Sequence, residues 1–346
     1  MNPPPSSPDV SIVIITRNTC GLTGEAVRSM LAGDGAVTRE IFVVDNGSTD
    51  GTPEVLPREF PQIQLIRSER NLGFARAVNL AAKNATGEFL LLLNSDARPT
   101  ADALALALQW LRANPDCAVA GAQLLDADGS RQNSIANFPT LATELLNKSL
   151  LRRIWPEKFP GKERTFPAPV EVETVIGAFM LIRKSVWDAL GGLDERFFFF
   201  FEETDFCRQV RRKNLRVMHL PQVRVWHGQG QTARQVSVAV RIEYWRSRYL
   251  YFAKNHSRLT RMILFSGLIT RLFFDWAFAI LLAAFTLGKN ARWRSRWQVC
   301  SALVVWHLCG CPLKSGLPRQ DDRAIVISLE IWLNIAVNTP STPWLE

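Results

Sequence analysis

A chain of 346 residues with 47% hydrophobic and 21% charged side chains can bury a large core, which excludes a disordered tail and a small stapled scaffold. A net charge of +9, eleven Trp and a mean hydropathy of 0.00 favour anionic partners: nucleotides, nucleic acid or the negative face of a cytoplasmic membrane. The six Cys, at 20, 117, 207, 300, 309 and 311, lack C-x-x-C spacing and read as reduced thiols of a cytosolic protein, not as a zinc site.

Residues 1–8 are rich in Pro and Ser, with no basic or apolar leader segment. They read as a disordered lead-in with no signal peptide. Ser11 to Thr16 is a first buried strand, followed by a helix over about Leu22 to Leu31 and a second strand at Ile41 to Val44. That strand runs into Asp45-Asn46-Gly47-Ser48-Thr49-Asp50-Gly51-Thr52, a loop with two carboxylates and two glycines. Its turn chemistry alone is ordinary. A short strand at Ile63 to Ile66 and a polar turn, Arg70 to Gly73, lead into a helix ending near Gly87. Phe89 to Leu93 is then an unbroken apolar run, the pattern of a strand covered on both faces.

Asn94-Ser95-Asp96 follows that run, so Asp96 stands at the rim of the sheet where ligands of open α/β folds bind. A helix from Thr100 to about Ala113 and a strand from Ala118 to Leu125 complete an alternation that predicts a mostly parallel sheet flanked by helices. The half lacks G-x-G-x-x-G and G-x-x-x-x-G-K-[ST], which excludes a dinucleotide fingerprint and a P-loop. Beyond it come a helix at Leu141 to Leu151, a surface loop from Pro156 to Pro169 that could move over a site, and a strand through Val175 to Ile182 with Gly177 inside it. Phe197 to Phe201 then abuts Glu202, Glu203 and Asp205. Apolar walls make such packed carboxylates costly unless a cation or a reacting proton offsets them. The same carboxylates also suit the start of a helix through about Lys213. A strand at Leu215 to Leu220, His227 beside Trp226, and a basic aromatic helix from Arg241 to His256 follow.

In this order the pieces resemble the inverting glycosyltransferases of family 2, with the GT-A fold, in their bacterial rhamnosyltransferase-like branch. The segments are Ser11 to Asn18, Val43 to Asp50, Arg70 to Ala75, Leu93 to Asp96, Gly191 to Phe198, Glu202 to Asp205 and His227, spanning about residues 9 to 256. The resemblance implies a GT-A catalytic domain at 9–256, and leaves 257–346 as a helical extension, associated with a membrane or packed on the domain, that is read from its own apolar pattern. It implies nucleotide-sugar contacts from Thr16, Asn18, Asp45, Asn46, Asp50, Asn71, Gly73, Arg76, Asn94 and Ser95. Asp96 would be the last carboxylate of the family's D-x-D motif, with Asn94 where its first Asp would stand, and His227 a second ligand for Mg²⁺ or Mn²⁺. Glu203 occupies the position of the catalytic base, alone or shared with Glu202, and Asp205 supports it. The expected partners are a nucleotide-diphosphate sugar, rhamnose by the branch resembled, and a glycan or lipid-linked acceptor, with no nucleic acid.

The rest of the chain is less specific. Met262 to Leu287 is apolar but carries Arg271 and Asp275, and its clean run from Trp276 is too short to span a bilayer. With Val299 to Leu308 and the basic stretch Lys289 to Arg296, it predicts helices lying against the inner face of the cytoplasmic membrane, or packed on the catalytic domain. Two rivals compete: a basic nucleic-acid-binding protein, which leaves the acidic clusters idle, and a sugar nucleotidyltransferase, which lacks the basic glycine loop after its first strand.

Overall fold

The computed structural model describes residues 7–33, 35–159, 161, 164–228, 237–287, 289–312 and 315–317. Most of the expected lead-in, residues 1–6, lies outside them. The described residues form two bodies, one from 7–138 and 148–228, the other from 139–147 and the chain beyond 237. The basic aromatic helix therefore falls with the C-terminal helices, where the sequence had placed the division after 256.

In the first body the chain runs β1 (Val10–Thr16), α1 (Cys20–Leu31), β2 (Arg39–Asn46), α2 (Thr52–Glu59), β3 (Gln64–Ser68), α3 (Phe74–Ala82), β4 (Phe89–Asn94), β5 (Ala97–Pro99), α4 (Ala103–Ala113), β6 (Cys117–Leu125) and β7 (Ile135–Ala136). After α5 (Leu141–Leu145), which belongs to the second body, it continues through α6 (Lys148–Ile154), β8 (Val170–Glu171), β9 (Thr174–Val175), β10 (Phe179–Arg183), α7 (Lys184–Leu190), α8 (Glu202–Arg212) and β11 (Arg216–His227). The central sheet has the order β3-β2-β1-β4-β10-β6-β11-β5. Its β3, β2, β1 and β4 are parallel, β10 runs against both neighbours, and β6 is parallel to β11.

Successive side chains of a strand point to opposite faces, and here both faces are covered. Ile12, Ile14, Leu91 and Leu93 pack with Val27 and Met30 of α1 and Leu104 and Leu108 of α4. Val13, Leu90 and Leu92 pack with Val78 of α3, Trp187 of α7 and Phe206 of α8. That is why the strands read as continuous apolar runs. Burying a side chain such as Leu91 fully stabilises the fold by roughly 1.5–3 kcal/mol.

Three elements differ from expectation. First, α2 follows the Asp45 to Thr52 loop where no helix was expected, and Pro53 sits in its first turn where the missing N–H costs nothing. Second, the strand through Val175 to Ile182 is broken: Thr174 and Val175 pair with Ala136 and Ile135, and only Phe179 onward joins the main sheet. Val175 crosses so close to Gly121 of β6 that a Cβ there would lie 2.5 Å from its side chain. Third, the strand expected at Leu215 to Leu220 continues to His227 as one long β11, with an irregularity between Leu220 and Arg224 that accommodates Pro221.

His219 of β11 is 1% exposed, edge-on to Phe166, and its Nδ1 has no hydrogen-bond partner among the described residues. Burial pushes its imidazole down to about 4 from 6.5. Below pH 6.5 the unfolded chain therefore binds a proton that the native chain refuses, so acid destabilises the fold. Between pH 7 and pH 5 the native protein should lose about 2 kcal/mol on this account, and His219→Leu should remove that slope from urea midpoints. An unchanged slope would place the acid sensitivity elsewhere.

The second body holds α5, α9 (Ser237–Asn255), α10 (Arg258–Phe285) and α11 (Ala291–Leu308). The single helix expected over Leu141 to Leu151 is thus two, divided at Leu146, whose extended backbone ends α5. A capping box between Thr140 and Thr143 opens α5, and buried Glu144 accepts from buried Arg248 of α9 at 3.3 Å. Leu145 packs on α10 where Gly267 leaves room. Beginning at Arg258, α10 is longer than the apolar run alone suggested: its 28 residues are long and apolar enough to cross a membrane by length and composition. Asp275 is paired to Arg296 of α11 at 2.8 Å, while Phe273, Phe274, Phe278, Leu281 and Phe285 are exposed.

Candidate active site

The ends of β1 and β2 build one wall. Thr16 and Asp45 are register partners, and Asp45 is 1% exposed with Oδ1 accepting from Ser48 N at 3.2 Å. Asn18 adopts φ 55°, a left-handed turn that Asn tolerates, and accepts from Thr49 N at 2.7 Å. Its own N–H donates to Ser48 Oγ at 3.0 Å. Asp50 accepts from Cys20 N at 3.1 Å, from Thr52 N at 3.2 Å and from the Thr52 hydroxyl. Burial works against its charge, but these hydrogen bonds hold its carboxyl below the usual range. Asp50 therefore fastens the starts of α1 and α2 on either side of the loop. Thr16 shares hydrogen bonds with Thr19 and Thr23, and Thr19 reaches Ser95 Oγ at 3.3 Å.

The Arg70 to Gly73 turn is held by Asn46. Its Oδ1 accepts from Leu72 N at 2.7 Å, while Nδ2 donates to Asn71 Oδ1 at 3.0 Å and to Gly73 O at 3.2 Å. Asn46 thus positions the turn, leaving Asp45 as the buried carboxylate beside it. Gly73, at φ 81°, lies where a Cβ would meet the carbonyl oxygen and ring of Phe198 at 2.6 Å, and Phe74 N donates to that carbonyl at 2.7 Å. Glycine is required there by both conformation and space. Asn79 of α3 completes the dock, donating to Leu193 O at 2.8 Å and accepting from Leu193 N at 3.0 Å. Arg76 is engaged with Glu195 at 3.3 Å, on the same seam. The Gly191 to Phe198 segment is therefore carried on the helix that follows the turn.

At the end of β4 the sequence-predicted Asp96 and His227 are brought together. His227 closes β11, and its Nε2 lies 3.4 Å from Asp96 Oδ1 and 3.3 Å from Asn94 Nδ2. Gln132 fixes the ring: Oε1 lies 3.0 Å from His227 Nδ1, while Nε2 donates at 2.7 Å to both His227 O and Asp126 Oδ1. With its amide N–H groups committed there, the Gln132 oxygen must receive the Nδ1 proton. In the neutral ring Nε2 then turns a lone pair toward the Asp96 carboxylate. Asn94 Nδ2 donates to that lone pair, and turning this amide aside would free Nε2 and the Asp96 carboxylate together for a cation. Gly228 N donates to Asp96 O at 2.9 Å, and Asp96, Arg98, Glu25, Trp226 and His227 line a cleft of ≈ 90 Å³.

Sequence reasoning missed Gln132 and Asp126. Nothing in their spacing marks them, since they meet His227 only because β6 and β11 are parallel neighbours.

Glu202 and Glu203 open α8. Phe200 and Phe201, at φ 75° and 69°, precede them in left-handed conformations that aromatic residues rarely adopt, each costing roughly 1–3 kcal/mol. Burial of Phe197, Phe198 and Phe201 and the Phe198 bond to α3 impose that turn. Glu202 is 5% exposed, and Asp205, 1% exposed, accepts from Gln209 at 2.9 Å. Glu203 is half-buried overall, but its Oε2 is enclosed without a hydrogen-bond partner among the described residues. Burial raises its pKa. Gly177 is the residue its side chain packs upon, a Cβ there lying 3.6 Å from Glu203 Cγ.

Ala178, the next residue, accepts from Asn94 N at 3.1 Å. Glu203 thus packs on the residue next to the one that accepts from Asn94, two positions before Asp96. Among the described residues no three His, Cys, Asp or Glu side chains cluster as metal ligands, so Asp96 and His227 are a pair that needs further donors.

A sheet of this order with its polar groups gathered at the strand ends is the GT-A architecture. Solved structures agree: a mannosyltransferase from Pyrobaculum calidifontis, in complex with GDP-Man and Mn²⁺, superposes with a TM-score of 0.53 over 88% of this chain and 87% of that one, at 18% identity. S. aureus TarS 1-349 gives 0.51 over 86% and 80%, at 17% identity. Residues 11–191 match glycosyl transferase family 2, and the chain belongs to that family: it is a glycosyltransferase. Among curated relatives, the N-acetylglucosaminyl-diphospho-decaprenol L-rhamnosyltransferase of Mycobacterium tuberculosis is 26% identical, over 63% of this chain and 75% of the relative. The dTDP-rhamnosyl transferase RfbF of Shigella flexneri is 24% identical, over 67% and 78%.

Proposed function

We propose that the protein transfers rhamnose from a nucleoside diphosphate to a hydroxyl of a glycan or lipid-linked acceptor by a single inverting displacement, at the inner face of the cytoplasmic membrane. The observation that carries it is the pairing of the Asp96 and His227 acceptor atoms, with Glu203 packed on Gly177, next to the residue that accepts from Asn94. The names of the relatives support rhamnose and a lipid-linked acceptor.

In the displacement the acceptor oxygen forms a bond to the anomeric carbon as the bond from that carbon to the diphosphate breaks. The electron pair leaves with the nucleoside diphosphate, and the hydroxyl proton passes to Glu203. A carboxylate so placed supplies roughly 10²- to 10⁴-fold, about 3 to 5 kcal/mol. Burial that raises its pKa makes it a stronger base than an ordinary Glu. Glu202 would share the proton's surroundings, and Asp205 would hold the helix start. Asp45, Asn71 and Gly73 would receive the nucleotide, with Asn18 and Asp50 keeping that wall in place.

The donor set at Asp96 and His227 fits a divalent ion, Mg²⁺ or Mn²⁺, with oxygens of the diphosphate completing the shell. Such an ion would neutralise charge on the departing diphosphate. Gln132, by directing the His227 lone pair at that position, should matter to it: Gln132→Leu is expected to weaken Mn²⁺ binding about 10- to 100-fold. Calorimetric titration of the protein with Mn²⁺ and nucleoside diphosphate checks this, and unaltered affinity would remove Gln132 from the site.

The exposed apolar residues of α10, beside the basic start of α11, support contact with an anionic membrane. The function is tested by thermal shift and transfer assays across nucleotide sugars, with and without Mn²⁺. Stabilisation by dTDP-rhamnose above other donors, and an inverted product, are expected. Preference for another donor would overturn the rhamnose assignment, and retention at the anomeric carbon would overturn the mechanism.

A further inference from the structure

The first body carries its own amphipathic patch on α6 and the turn after it. On α6, Leu150 and Ile154 lie four residues apart on one face, 53% and 52% exposed, and Trp155 beside them is 54% exposed. Leu151 is 3% exposed and roots the helix, so the exposed face is not a frayed end. The following turn folds back, with Phe159 N donating to Trp155 O at 2.9 Å and Arg164 Nη1 to Glu157 O at 3.1 Å. It encloses a cavity of ≈ 370 Å³ lined by Arg152, Pro156, Glu157, Phe159, Gly161 and Arg164.

From 148 to 164 the sequence carries six cations, Lys148, Arg152, Arg153, Lys158, Lys162 and Arg164, against two carboxylates, Glu157 and Glu163. Exposed apolar side chains ringed by cations are costly in water and suited to the boundary between headgroups and acyl chains. The charge is complementary to phosphate-bearing lipids, and a long aromatic at the rim is the side chain that interface favours.

We infer that α6 and its turn are a membrane-docking surface for an anionic bilayer. Leu150, Ile154 and Trp155 enter the acyl boundary, while Lys148, Arg152, Arg153 and Lys158 meet the phosphates. Arg152 and Arg164 admit one lipid headgroup to the cavity between them. This deepens the membrane reading given above, adding to α10 a second contact that belongs to the catalytic body itself.

Flotation of the full-length chain with vesicles of phosphatidylcholine alone, and of phosphatidylcholine with phosphatidylglycerol, tests it. The parent should float with the anionic vesicles. Each basic residue near such a surface contributes about 1 kcal/mol, so R152Q/R153Q should lower partitioning about 30-fold. I154S/W155S should lower it at least about tenfold. Thermal stabilisation by nucleoside diphosphate should be unchanged in both, showing that the fold is intact. Both pairs floating like the parent, while F278S/L281S on α10 no longer floats, would overturn this inference and leave the wider membrane reading standing. A parent that floats with neither vesicle would overturn both.

Discussion

Glu203→Gln is expected to keep nucleotide-sugar binding and lose at least about a hundredfold in kcat, the lower end of what a positioned base supplies. Single-turnover transfer measured beside donor affinity separates the two effects. Burial raises the pKa of Glu203, so the folded chain holds this proton at a pH where the unfolded chain has released it. The sign follows: stability is fully present below the ordinary carboxylate value of 4.5 and declines as pH rises through the folded pKa. Glutamine removes that decline, so at neutral pH the variant should melt no lower than the parent, and near pH 4 the two should converge. The acid limb of the parent's kcat profile should vanish in the variant. A variant that turns over at near-parent rate would move the base to Glu202 or elsewhere.

Asp96→Asn is expected to reduce kcat/KM by at least about a thousandfold, about 4 kcal/mol of transition-state stabilisation. An amide keeps the shape of the carboxylate and loses its charge. The Mn²⁺-dependent part of nucleotide-diphosphate stabilisation should disappear with it, while stabilisation without Mn²⁺ should persist through the Asp45 wall. Full Mn²⁺ dependence in the variant would show that Asp96 is not a ligand. Together the two substitutions separate the departing side of the reaction from the attacking side.

Much of the catalytic half was legible because its signals are local. Ile12 to Ile15 and Leu90 to Leu93 are apolar at every position, since both sheet faces are covered, and that pattern needs no partner to be recognised. Carboxylates at strand ends could likewise be placed from the runs before them. What escaped depends on distant segments meeting. The break at Ile176 is set by Val175 crossing Gly121, fifty-odd positions earlier, which no local pattern encodes. Gln132 sits in a polar stretch that looks like any surface turn, and gains its place only through β11 lying beside β6. The helix α2 was not expected: it is 8 residues long and holds Pro53 and Pro57, of which Pro53 is at home in a first turn. His227 was expected as a ligand from the family resemblance and not from its neighbours in sequence, and the structure sets it opposite Asp96.

The reversal of β10 has a consequence for how such a protein can diversify. Because β10 runs against β6, β6 ends at Leu125 and β10 begins at Phe179 on the same rim, and the stretch between them rejoins the main sheet at β8, which pairs with β11. Between Gln132, which holds His227, and β8, which pairs with β11, the stretch adds no rung to the main sheet, so changes of length there leave the β1 and β2 ends untouched. Chimaeras that exchange only the residues between Gln132 and β8 would change what lies along this rim while keeping Asp45, Asp96, His227 and its Gln132 support in place.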